Sequence, residues 1–159
     1  MLAVAVAIFP NTPGNAAEVF VEAESFQDTG GWKIDTQFIQ QMGSPYLLAH
    51  GLGKPVQDAI TDIEVAEAGT YRVWVRTFDW VARWDSEGSP GKFKIKVGDE
   101  LLEPTFGTKG KKWSWHDGGT VKLATGSTSL RLTDLTGFNG RCDCILLTTD
   151  LNAEPPNAS

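Results

Sequence analysis

The sequence predicts an all-β domain, and in particular a jelly-roll β-sandwich. Short runs with alternating apolar and polar residues recur along the chain, and glycine, aspartate, serine and proline separate them. No stretch keeps an apolar period of 3.6 residues, so long amphipathic helices are not expected. A length of 159 residues fits one domain with eight or more short strands.

The alternation places the strands in order along the chain. In residues 18–24, Val19, Val21 and Ala23 alternate with Phe20 and two glutamates. The strongest prediction is residues 71–78, where three apolar residues share one face and Arg72, Trp74 and Arg76 share the other. The remaining predicted strands are residues 58–65, residues 92–97, the pairs Val121 with Leu123 and Leu130 with Leu132, and residues 141–149.

Charge and composition exclude several classes of protein. The formal net charge of −6 argues against a nucleic-acid-binding surface and against electrostatic binding to anionic membranes. The apolar run 2–9 is too short to insert across a bilayer. Two histidines and two cysteines leave few groups for histidine or thiol catalysis or for a zinc site.

The two ends of the chain differ in composition from the rest. Residues 1–17 resemble a clipped secretory signal, with an apolar run and a small-x-small pattern at Gly14-Asn15-Ala16 but no basic start. An artificial start or a first strand is the alternative. Residues 151–159 are polar and contain proline, as linkers do. We therefore expect a domain over 18–150 from a larger secreted protein, extracellular or periplasmic.

Cys142 and Cys144 are separated by one residue in the last predicted strand. This spacing seldom suits an unstrained disulfide. We expect two small apolar core residues.

Three segments together resemble a known family. They are Val21-Glu22-Ala23-Glu24-Ser25-Phe26 followed by Gly30-Gly31-Trp32, then residues 66–76, then residues 141–147. In this order they resemble the galactose-binding-like β-sandwich of carbohydrate-binding modules, and they are most similar to families 6 and 35. The resemblance implies a non-catalytic module that binds polysaccharide or oligosaccharide and brings an attached catalytic domain to it. We expect it to be a monomer.

The resemblance also implies a structural calcium ion, held by Glu22, Glu24 and Asp143. Two carboxylates two residues apart on a strand would project to one face and repel each other, and a cation would remove that cost. The alternative is that both are solvated or paired with Arg or Lys. Family 6 modules often carry a sugar-contacting Asn two residues before the last-strand Asp. This chain has Arg141 there, with Asn139 out of register, so the usual pattern does not transfer.

Tryptophan gives the candidate sugar-binding residues, because its flat ring suits the C–H face of a sugar. We single out Trp80, Arg83 and Trp84 in the long segment 79–88 first, since long loops tend to be functional. Burial in the core is the alternative for each tryptophan. The further candidates are Trp113, Trp115, His116 and Trp32.

Basic residues near these tryptophans favour an acidic glycan as the ligand. Arg83 lies between two tryptophans, and Lys111 and Lys112 precede another. An arginine can bind a carboxylate with two parallel hydrogen bonds. Alternatively, Arg83 pairs with one of the acids in its own segment.

Two other functions remain open from the sequence. One is a structural or protein-interaction β-sandwich domain of a larger secreted protein. The other is a small polysaccharide lyase or hydrolase, for which carboxylates are plentiful. Nothing in the sequence brings two of the loop and late-strand carboxylates together with a raised pKa, and no nucleophile or metalloprotease motif occurs, so we expect no catalytic residues.

Overall fold

The computed structural model describes residues 16–84 and 89–155. Within them, one α-helical turn (α1, Ile39–Met42) and one 3₁₀ turn (Ala23–Ser25) accompany the strands. The strands are β1 (Glu18–Glu22), β2 (Lys33–Asp35), β3 (Tyr46–His50), β4 (Ala59–Val65), β5 (Gly69–Thr77), β6 (Phe93–Val97), β7 (Glu100–Leu101), β8 (Ser114–Leu123), β9 (Gly126–Asp134), β10 (Phe138–Cys142) and β11 (Cys144–Thr148).

The strands form three antiparallel sheets. One sheet has the order β1-β11-β5-β8, and a second has the order β4-β9-β6-β7. A smaller sheet has the order β10-β3-β2. Its strand β10 leads through Asp143 directly into β11 of the first sheet. The prediction of an all-β sandwich is confirmed.

Side chains from both four-stranded sheets form the main core. Val73 and Val75 of β5 and Ile145 of β11 are buried in the same cluster as Ile95 of β6 and Leu132 of β9. These residues lie at alternate positions of their strands, so the period of two that predicted the strands also predicted which face is buried.

A second, smaller cluster consists mainly of aromatic rings. Tyr46, Phe78 and Trp113 are its buried members. Phe78 follows the last residue of β5, and Trp113 precedes the first residue of β8, so the cluster covers one end of the sandwich. Partly buried side chains pack around it, namely Phe38, Met42, Leu48 and Trp80.

The structure corrects the predicted positions of two acidic residues. Glu24 does not lie on a strand, because β1 ends at Glu22 and the chain turns at Ala23–Ser25. Asp143 lies between β10 and β11 rather than within one closing strand. Its backbone N–H donates to the carbonyl of Arg76 at 3.0 Å, and its carbonyl accepts from the N–H of Ala23 at 2.8 Å. These bonds hold Asp143 between the two chain segments.

The cysteines behave as predicted. Cys142 and Cys144 are both buried and free of a disulfide. Burial raises the pKa of each thiol, with the charge of Asp143 adding to the effect. They are therefore core residues and poor nucleophiles.

Of the predicted terminal segments, little is described. The signal-like segment lies almost entirely outside the described residues. The start of the predicted linker runs along the domain, since the Nη1 of Arg72 donates to the carbonyl of Leu151 at 2.7 Å. None of the helices in the described parts of the chain is long and apolar enough to cross a bilayer.

Substitution of two glycines would test whether the turn before β10 packs closely against Lys54. Gly137 has a φ of +67°, and a Cβ added to it would collide with the carbonyl of Lys54. Gly119 has a φ of +84° with no atom within 4 Å of an added Cβ. We expect Gly119→Ala to cost about 1–2 kcal/mol from its left-handed backbone alone. Gly137→Ala should cost about 1–3 kcal/mol more, because of overpacking. Urea unfolding would measure both, and equal losses would contradict the close approach.

Candidate functional site

The segment after β5 is anchored by a buried carboxylate. Asp79 is buried, and its Oδ1 accepts the backbone N–H of Val81 at 3.1 Å while its Oδ2 accepts the hydroxyl of Ser89 at 2.8 Å. Its own N–H donates to the carbonyl of Lys109 at 3.0 Å. Both carboxylate oxygens therefore form structural hydrogen bonds. These bonds fix the chain at Val81, where the segment begins, and at Ser89, where it ends.

Three aromatic side chains form a surface at this end of the sandwich. The ring centroid of Trp80 lies 5.8 Å from that of Trp84 and 6.1 Å from that of Phe138. Trp84 is 73% exposed and Phe138 is 40% exposed, whereas Trp80 is half-buried between them and the second cluster. We call Trp80, Trp84 and Phe138 the aromatic platform. Phe138 was missed by the sequence analysis, because a lone apolar residue between turn residues carries no periodic signal.

The platform is supported from below by Arg141. This residue is 5% exposed, and its guanidinium carbon lies 5.1 Å from the ring centroid of Trp80 and 5.9 Å from that of Phe78. Its Nη1 donates to the carbonyl of Asn139 at 2.9 Å. Arg141 therefore supports the platform from the interior and does not present its charge to solvent.

Polar groups lie at the edge of the platform. The side-chain oxygen of Asn139 is 2.7 Å from the Nδ1 of the exposed His50. The guanidinium carbon of Arg83 lies 6.0 Å from the ring centroid of Trp84, and Arg83 itself is exposed. The predicted residues Trp80, Arg83 and Trp84 thus come together on one surface.

The structure buries two of the predicted site residues, Trp32 and Trp113, so neither ring is part of the exposed platform. Trp32 is 1% exposed and packs edge-to-face against Phe93, with the centroids 5.6 Å apart. Trp113 is 8% exposed and lies 4.7 Å from Phe78 and 4.9 Å from Tyr46, centroid to centroid. The large apolar area of an indole stabilises the fold most when it is buried, and that effect prevails at both positions.

Trp115 and His116 lie elsewhere, on β8. Trp115 is half-buried and packs its ring against Phe20 of β1, with the centroids 6.5 Å apart. The Nε2 of His116 is 3.0 Å from the hydroxyl of Ser114. Burial lowers the pKa of His116, and the nearby charge of Lys109 lowers it further. The structure therefore does not bring these two residues to the platform.

The three predicted calcium ligands lie near one another, but their carboxylate oxygens differ in the hydrogen bonds that they already accept. The Oδ2 of Asp143 lies 3.0 Å from the Nη1 of Arg76, and its Oδ1 accepts from the hydroxyl of Ser44 at 3.3 Å. The Oε2 of Glu24 is buried with no hydrogen-bond partner among the described residues. Burial raises the pKa of Glu24 to about 7, and the charges of Glu22 and Asp143 also raise it.

This arrangement fits a hard cation in its chemistry. A buried carboxylate oxygen without a donor, beside two further carboxylates, is the kind of group that an oxygen-seeking ion stabilises. Across residues 16–84 and 89–155, no three His, Cys, Asp or Glu side chains already stand close enough together to hold a metal ion. Bound calcium would therefore need backbone carbonyls and some movement of these side chains as well.

Two tryptophan substitutions would test the division between core and surface. Trp32→Ala should cost about 3–5 kcal/mol in unfolding free energy, because it leaves a large cavity. Trp84→Ala should change the unfolding free energy by no more than about 0.5 kcal/mol, because the ring is exposed. Urea unfolding followed by circular dichroism would measure both. Similar losses for the two variants would contradict the assignment of Trp84 to the surface.

No family model and no curated protein sequence matches this chain. Several solved structures, however, are similar to it. The mannanase of Podospora anserina that carries a family 35 module superimposes with a TM-score of 0.64 at 20% identity, over 88% of this chain and 29% of that one. A family 35 carbohydrate-binding module from Clostridium thermocellum gives a TM-score of 0.62 at 15% identity, over 82% of this chain and 97% of that one.

A third similar structure is the C-terminal family 6 module of a marine laminarinase from Zobellia galactanivorans. It gives a TM-score of 0.60 at 18% identity, over 83% of this chain and 99% of that one. The chain thus spans nearly the full length of the two isolated modules and under a third of the mannanase. The protein has the β-sandwich fold of carbohydrate-binding modules of families 6 and 35.

Proposed function

We propose that this protein is a non-catalytic carbohydrate-binding module that binds polysaccharide on the aromatic platform of Trp80, Trp84 and Phe138. The observation that carries the proposal is the 73% exposure of Trp84, on a ring that packs at 5.8 Å against Trp80. An indole held in place but left open to solvent offers a flat apolar face of the kind on which a sugar ring stacks.

The surroundings of the platform support a ligand that is both apolar and hydroxylated. Asn139, His50 and Arg83 place an amide, an imidazole and a guanidinium at its edge. Such groups donate and accept hydrogen bonds, which sugar hydroxyls require. The support of Trp80 by the buried Arg141 means that little ordering is left to occur on binding.

The similar structures support the same function. Two of them are described as carbohydrate-binding modules, and the mannanase contains such a module beside its catalytic domain. We propose that this chain, like the module of the mannanase, is attached to a catalytic domain and brings it to polysaccharide, and that the protein is secreted. Tethering of this kind raises the local concentration of the enzyme at its substrate.

Affinity gel electrophoresis against a panel of neutral and acidic polysaccharides, with calcium present, would test the binding function. Migration should be retarded in at least one gel. Trp84→Ala should weaken that binding at least about tenfold, because it removes the exposed stacking surface. The matched control is Trp115→Ala, which removes a half-buried tryptophan outside the platform.

The control variant should bind as the wild type does. Loss of binding in Trp115→Ala with full binding in Trp84→Ala would place the site on the β1-β11-β5-β8 sheet and contradict the platform. No retardation in any gel would favour the alternative of a structural or protein-interaction domain.

We further propose that Glu22, Glu24 and Asp143 hold a structural calcium ion. The buried, unpartnered oxygen of Glu24 supports this, since a cation would stabilise its ionised form. The ion would join the end of β1 to the junction between β10 and β11. Its contribution would be to stability, because these residues are not part of the platform.

Melting curves with calcium and with chelator would test this second proposal. Calcium at a hundred times its Kd should stabilise the fold by about 2.7 kcal/mol, which corresponds to a rise in Tm of about 5–10 °C. Glu24→Gln should abolish most of the rise, whereas Glu64→Gln on the exposed side of β4 should keep it. An unchanged melting curve in chelator would contradict the calcium site.

A further inference from the structure

A second feature lies beside the platform, in a pocket of about 580 Å³. It opens between α1, β5, the segment after β5 and the residues just before β8. Arg76, Arg83, Lys111 and Lys112 line it, together with Trp113 and Gln41. Four cationic side chains thus converge on one small volume, although the whole chain has a formal net charge of −6.

The lining of this pocket contains no carboxylate among the described residues. Elsewhere on the surface the arginines are paired, as in Arg72 with Asp117 at 2.8 Å and Arg131 with Asp58 at 2.9 Å. Arg83, by contrast, forms no salt bridge with a described residue, and neither do the two lysines. Three of the four cations thus have no salt bridge to a described residue, and only Arg76 is paired, with Asp143. Like charges this close repel one another, and an anion bound between them would offset that cost.

Arg76 also has a donor atom that lacks a partner. Its Nη1 is engaged by Asp143 at 3.0 Å, but its Nε is buried with no hydrogen-bond partner in the described parts of the chain. A buried guanidinium donor without an acceptor is costly. Oxygen atoms of a bound anion would satisfy donors of this kind, because carboxylate and sulfate match the geometry of a guanidinium.

Arg83 connects the pocket to the aromatic platform. It lines the pocket, and its guanidinium carbon lies 6.0 Å from the ring centroid of Trp84. A sugar chain stacked on Trp84 would therefore carry its neighbouring substituents past Arg83 toward the two lysines. We propose that this pocket binds the anionic groups of the ligand, and that the protein selects acidic polysaccharides, whose carboxylate or sulfate groups enter it. The inference rests on the proposed carbohydrate-binding function and adds the class of ligand.

The test compares glycans that differ only in charge. Dextran sulfate would be set against dextran, and polygalacturonate against its methyl-esterified form, in affinity gels beside the neutral panel. The wild-type protein should be retarded by at least one anionic glycan more strongly than by its uncharged counterpart. Of the two pairs, the one that shows this difference identifies sulfate or carboxylate as the recognised group.

The variant Lys111→Gln with Lys112→Gln should weaken binding to that anionic glycan about tenfold, because two ion pairs with the glycan are lost. The matched control is Lys33→Gln with Lys122→Gln, which removes the same charge from exposed positions outside the pocket. It should weaken binding by less than about twofold.

Four outcomes would overturn the inference. Binding to neutral glycans alone would overturn the acidic ligand and leave the carbohydrate-binding function intact. Equal weakening by the two double variants would show a general effect of charge and no pocket. Tighter binding of single-stranded DNA than of any anionic glycan would assign the cations to another polymer. Binding to no glycan would overturn both proposals.

Discussion

The buried guanidinium of Arg141 is the constraint on which the candidate site depends. A cation taken out of water must be partnered, and here the partners are the carbonyl of Asn139 at 2.9 Å and the ring faces of Trp80 and Phe78. No salt bridge to Arg141 occurs in residues 16–84 and 89–155. These partners come from β10 and from the segment after β5, so a single side chain links Trp80 of the aromatic platform to the strand that begins at Phe138.

In the rest of the structure, the residues that stabilise the fold are different from those proposed to bind the ligand. The main core between the two four-stranded sheets is aliphatic at most positions, and the smaller aromatic cluster at the end of the sandwich supports the surface. Carboxylates tie the loops to this framework. Asp79 accepts from Val81 and Ser89, and Asp134 accepts the N–H of Gly137 with both oxygens, at 3.0 and 2.9 Å. A rigid framework of this kind lets loops carry binding residues without a large entropy loss on binding.

The sequence predicted what depends on local periodicity. The period of two in β5 and β6 identified those strands and their buried faces. It also placed Trp80, Arg83 and Trp84 together, because they lie within one short segment. It did not distinguish Trp32 and Trp113 from an exposed tryptophan, since the burial of an indole depends on distant partners such as Phe93 and Tyr46. For the same reason, Phe138 and the convergence of Arg76 with Lys111 required the tertiary structure.

A ligand should stack on Trp80 and Trp84 while the core tryptophan Trp32 stays packed. The six tryptophans give six indole N–H signals in a ¹⁵N-correlated NMR spectrum, and titration with an oligosaccharide from the binding polysaccharide would follow each of them. We expect the signals of Trp84 and Trp80 to shift together and saturate at one affinity, while that of the buried Trp32 stays in place. Shifts confined to Trp115, with Trp84 unmoved, would contradict this expectation.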